Sequence, residues 1–139
     1  MRKSRLVPAV VLALLLWIVA SLPGADLQRI QAAPEDPWLR AVLSDPFMHA
    51  LSFGLFTLLV AWGLAARPRG PAPWARVAVV AIGFGLLIEV YQAALPWRAF
   101  GLDDLLWNAV GVLLCLAALW IRRRLVQSRR LDQSGSLSE

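Results

Sequence analysis

The 139-residue sequence contains one cysteine and one histidine. A single thiol, Cys115, excludes an intramolecular disulfide and any multi-cysteine zinc site. A lone imidazole, His49, speaks against a histidine-rich metal centre, and a hard set built from Asp45, His49, Glu89 and Asp104 would be poor in histidine. No metal or cofactor is therefore expected. Charge is scarce as well. Only 17% of residues are charged while 59% are hydrophobic, and the mean hydropathy is +0.63. A soluble domain of this length turns too many residues toward water to hide that much apolar surface. Lipid can solvate it instead. No apolar stretch alternates with period two, so a β-barrel has no support. There is no Ser-His-acid order and no phosphate-binding glycine loop.

What is present is four apolar stretches, at about 6–22, 47–66, 75–95 and 105–121. Each suits a helix crossing a hydrocarbon core, which takes about 17–25 residues. Leu22-Pro23-Gly24 stops the first. Ser44-Asp45-Pro46 reads as an N-cap followed by proline at the first helical position of the second. Arg67-Pro68-Arg69-Gly70-Pro71 is a basic turn, Pro96 closes the third stretch, and Asp103-Asp104 puts negative charge at the positive end of the fourth. The first stretch follows a basic Met1–Arg5 start, as a signal peptide would. Its apolar run exceeds a signal core of about 7–15 residues and no small-x-small cleavage site follows at once, so it reads as a retained helix.

The net charge of +5 does not imply nucleic acid, because the basic residues flank the apolar stretches rather than forming a separate patch. Counting Lys and Arg in the polar segments gives three at the N-terminus, three in the second loop and five at the C-terminus, or 11, against two and one, or 3, in the other loops. The positive-inside rule then places both termini in the cytoplasm. Trp38, Trp97 and Trp107 fall near the outer interface, and Trp74 and Trp120 near the inner one. Residues 127–139 are polar and expected to be a disordered cytoplasmic tail, leaving 1–126 as an all-α, polytopic four-helix membrane domain.

That topology gathers the unusual residues at one outer mouth. Asp45 and His49 are one turn apart at the start of the second helix. Glu89 and Gln92 share a face near the end of the third, Asp104, Asn108 and Gly111 share one at the start of the fourth, and Arg98 lies in the loop between. Glu89 sits ~9 Å below the end of its helix. A carboxylate there costs on the order of 2–3 kcal/mol or more against insertion, so it should face the bundle, be paired, or be protonated, with Arg98 the first candidate partner and His49 the second. Plainer roles remain open: helix capping for Asp45, packing for Asn108 and Gly111, hydrogen bonding within the bundle for His49.

Three segments resemble the VanZ-like family of bacterial membrane proteins. Asp45-Pro46-Phe47-Met48-His49 is similar to its D-K-x-x-H motif and Ile88-Glu89-Val90-Tyr91-Gln92 to its E-x-x-Q segment. The run from Arg98 to Gly111 is similar to its R-x-F…D-[LV]-x-x-N-x-x-G block. Pro46 stands where the family has lysine, and the second small residue expected after Gly111 is missing, with Cys115 nearby. The resemblance implies an envelope protein associated with low-level resistance to the glycopeptide teicoplanin, and it implies no particular reaction. The mixed donors and acceptors at headgroup depth suit a polar lipid or lipid-linked headgroup as ligand, beside the bilayer itself as partner. The alternatives are a membrane-embedded enzyme with Glu89 or Asp104 as general base, and a structural or partner-binding protein.

Overall fold

In the computed structural model, residues 3–64 and 72–135 are described, and among them every regular element is helical. A 3-10 turn, Lys3–Leu6, leads into α1 (Val7–Ala20). Two short helices follow, α2 (Gly24–Ala32) and α3 (Pro37–Val42), and then three long ones, α4 (Asp45–Gly63), α5 (Ala72–Ala93) and α6 (Leu102–Gly135). The expected basic turn Arg67–Pro71 lies outside the described residues, as do the end of the second expected stretch, Met1–Arg2 and residues 136–139.

Three helices, α4, α5 and α6, are each long and apolar enough to cross a membrane. The fourth expected span takes a different form. The helical run Ser4–Ala20 reaches that standard only together with α2, to which it is joined at a bend of 99°. Pro23 explains the break. It carries no N–H for a continuing ladder, and its extended ψ of 132° turns the chain into the start of α2. The elbow is pinned on the end of α5. Ser21 Oγ donates to Trp17 O at 2.8 Å and lies 3.0 Å from the Tyr91 hydroxyl, Trp97 Nε1 donates to Ser21 O at 3.2 Å, and the Trp17 and Tyr91 rings stack at 4.4 Å.

Two expectations need correcting. The segment from Gln127 was expected to be disordered, but α6 runs on to Gly135. Arg, Leu, Gln and Ser carry the ladder past the membrane-length segment, and neither glycine nor proline interrupts it between Val112 and Ser134. Arg124 helps at the crossover by stacking over Trp120 at 5.1 Å. The second correction concerns the start of α4. Ser44, not Asp45, is the residue before the helix and makes no side-chain cap, Asp45 is its first residue and Pro46 its second. A side-chain cap does occur at α3, where Asp36 accepts from Trp38 N at 2.7 Å and Leu39 N at 3.2 Å.

The bundle is built on the contact of α4 with α6, with α5 against both and α1 against α4. Phe53, Phe56 and Val60 of α4 meet Val77, Ala81 and Ile88 of α5 and Val112 of α6. Phe84 joins Phe56 at 5.0 Å between ring centroids. Small residues set the distance between α4 and α6. A Cβ on Gly111 would overlap the carbonyl of Ala50, and one on Gly54 would lie 3.4 Å from Gly111 O. Hydrocarbon tails compete with side chains for apolar contact, so close backbone approach is what favours helix association here.

Candidate functional site

Two layers of polar side chains lie at one end of this bundle. The inner layer is buried. Glu89, Gln92 and Asn108 are 0%, 2% and 1% exposed. They share the inward stripes of α5 and α6 with Ile88 and Val112, which is why charged and amide groups sit inside an otherwise apolar interior. His49 from α4 reaches across to α6. Its Nδ1 lies 2.9 Å from Asn108 Oδ1, and its Nε2 is 3.6 Å from Asp104 Oδ1. One imidazole thus ties an amide and a carboxylate one turn apart on α6.

Glu89 does not pair with Arg98, the partner that sequence proximity suggested. Its Oε2 accepts from the backbone N–H of Gly101 at 3.0 Å, while the guanidinium stays beyond ion-pair distance. Arg98 extends instead toward α2, where its Nη1 would lie 3.4 Å from a Cβ at Gly24. A side chain at Gly24 would crowd that approach. Two buried polar atoms, Glu89 Oε1 and Asn108 Nδ2, have no hydrogen-bond partner among the described residues.

The outer layer lines a partly open cleft with a cavity volume of about 180 Å³. Asp45, His49, Gln92 and Arg98 supply polar groups to it, as do Gln31 and Ser52. Leu16 and Val19 of α1, Leu27 and Ile30 of α2, and Met48 and Phe53 of α4 supply its apolar walls. Asp45 accepts from Gln31 Nε2, and Gln92 Nε2 donates to Ala20 O at 3.3 Å, which ties both ends of the elbow to the cleft. Of the seven residues singled out in the sequence, Asp45, His49, Gln92 and Arg98 line the cleft, whereas Glu89, Asp104 and Asn108 stand behind it, Asp104 and Asn108 linked to it through His49 and Glu89 held by the Gly101 N–H. Among the described residues, no three His, Cys, Asp or Glu side chains converge as metal ligands would.

Sequence reasoning missed α2 and the Gly101 amide. The signal for α2 was present: Leu27 and Ile30 three apart, with Asp26, Gln28 and Arg29 between and beside them, make a short amphipathic helix after a proline.

Buried carboxylate and amide groups inside a bundle of helices long enough to span a bilayer define a polytopic membrane protein with a polar site at one end. The chain belongs to the VanZ/LLP1 family, whose model matches residues 7–123. No curated protein and no solved structure matches it.

Proposed function

We propose that this VanZ-like membrane protein holds the polar headgroup of a lipid or lipid-linked molecule in the cleft, at the outer leaflet of the bacterial inner membrane. One observation carries the reading. The cleft is lined mostly by apolar side chains together with Arg98, whose guanidinium has no side-chain hydrogen bond or ion pair among the described residues. An unpaired guanidinium in the wall of an apolar trough matches an amphiphile with an anionic group, which it can grip through two parallel N–H bonds. Relevance to teicoplanin resistance rests on the family alone. The general-base alternative is less well supported, because neither Glu89 nor Asp104 lines the cleft.

The test is lipid retention by the purified full-length protein, measured by native mass spectrometry from mild detergent. Arg98→Ala is expected to lower retention about 10- to 100-fold, the size of one lost charge-assisted interaction, with an unchanged melting curve. Teicoplanin susceptibility is then compared at matched membrane abundance. Equal retention by the variant and the native protein would defeat the reading.

The orientation has its own test. In a Cys115→Ser background, a cysteine placed at Ala32 is expected to react with a membrane-impermeant maleimide in intact spheroplasts. One placed at Ser134 should react only after permeabilisation. The reverse pattern would put the cleft on the cytoplasmic side.

A further inference from the structure

The polar groups of the cleft are not equivalent. His49 turns its two nitrogens toward Asn108 and Asp104, and the Gln92 amide donates to the carbonyl of Ala20. That leaves Arg98 and Asp45 as the cleft's two oppositely charged side chains. They do not neutralise each other, for no ion pair forms between them. Asp45 Oδ1 accepts from Gln31, a neutral amide, and its other carboxylate oxygen makes no hydrogen bond among the described residues. The next residue is Pro46, so no cation stands beside it in the chain. A cation and an anion thus line one largely apolar trough, each with capacity for a partner of opposite sign.

A simple anionic headgroup would satisfy Arg98 and bring negative charge against Asp45. A headgroup carrying both a phosphate and an ammonium answers both. A carboxylate accepts N–H bonds from a primary ammonium, whereas a quaternary ammonium is recognised by a cage of aromatic faces. Among the described residues, Phe53 is the one Phe, Tyr or Trp side chain lining the cleft, too few to build such a cage.

Resting on the headgroup-binding reading, we propose that the cleft selects a zwitterionic amphiphile with a phosphate diester and a primary amine, as in a phosphoethanolamine lipid. Arg98 takes the phosphate, Asp45 takes the ammonium, and the acyl chains lie along Leu16, Val19, Leu27 and Ile30.

The full-length protein is equilibrated with equimolar phosphatidylethanolamine, phosphatidylcholine and phosphatidylglycerol of matched acyl chains, and retained lipid is counted by native mass spectrometry. Phosphatidylethanolamine is expected to exceed each of the others about tenfold. Asp45→Asn keeps an acceptor for Gln31 and is expected to remain folded while retaining all three lipids equally. Water-soluble O-phosphoethanolamine is expected to compete only at far higher concentration, because it lacks the chains. Three results overturn the proposal: no preference in the native protein, a preference that survives in Asp45→Asn, or equal competition by the soluble headgroup. If the native protein retains no lipid at all, the headgroup-binding reading falls and this proposal falls with it.

Discussion

Gly111→Leu is expected to be the most damaging single substitution in this chain. Even the first carbon of a side chain at this position would overlap the Ala50 carbonyl, and that is backbone, which cannot rotate out of the way. Accommodating leucine means separating α4 from α6, the contact on which the bundle is built and across which His49 reaches Asn108. Overpacking costs about 1–3 kcal/mol when side chains can adjust, and a clash with fixed backbone belongs at or above the top of that range. The variant should fail to give a monodisperse peak in mild detergent, or should melt far below the native protein. Gly83→Leu is the control. A Cβ there meets nothing within 4 Å, so the stability change should stay within about 0.5 kcal/mol. Equal behaviour of the two variants would refute this account of the α4–α6 contact.

Glu89→Ala is the second. The carboxylate accepts the Gly101 N–H, and Gly101 belongs to the loop that carries Arg98. Removing the acceptor leaves a half-buried amide without its partner, a loss of about 1–3 kcal/mol. Hydrogen exchange at the Gly101 amide should therefore speed up about 10- to 100-fold. Lipid retention should fall with it, because Arg98 loses its foothold. Glu89→Gln retains a carbonyl oxygen at the same reach and should stay close to native on both measures. Unchanged protection of Gly101 in Glu89→Ala would remove the tether from the account. A fall in retention equally large for Glu89→Gln would instead assign the effect to the charge rather than to the acceptor.

How much of this could be read beforehand depended on which groups carry a signature. The long helices were legible because apolar runs bounded by proline, glycine and charge have few other uses at this length. His49, Asp104 and Asn108 were brought together in the reading by helical spacing and alternating helix direction, and in the structure the imidazole lies against both α6 residues. Glu89 was correctly expected to face the bundle, since a carboxylate at that depth has nowhere else to go. Its partner was not legible. Every residue except proline has a backbone N–H, so nothing in the sequence distinguishes Gly101 as the donor, whereas Arg98 advertised its charge. Asp45 misled in a similar way. Aspartate before proline suits a cap, but here the helix starts one residue earlier, with Asp45 inside it and its carboxylate bonded to Gln31. The tail misled for the opposite reason. Its polarity suggested disorder, yet polar residues of good helical propensity can extend a helix that the membrane segment has already nucleated.

The elbow between α1 and α2 has a mechanical side. If α1 runs along the bundle across the bilayer, a helix set at 99° to it lies nearly in the membrane plane. At about 13 Å long and 10 Å wide it occupies area in one leaflet with no matching area in the other. Its joint to α1 is held at Ser21 by Tyr91 and Trp97. Leu27 and Ile30 are carried on that short helix, so the shape of the cleft is tied to the angle of the elbow.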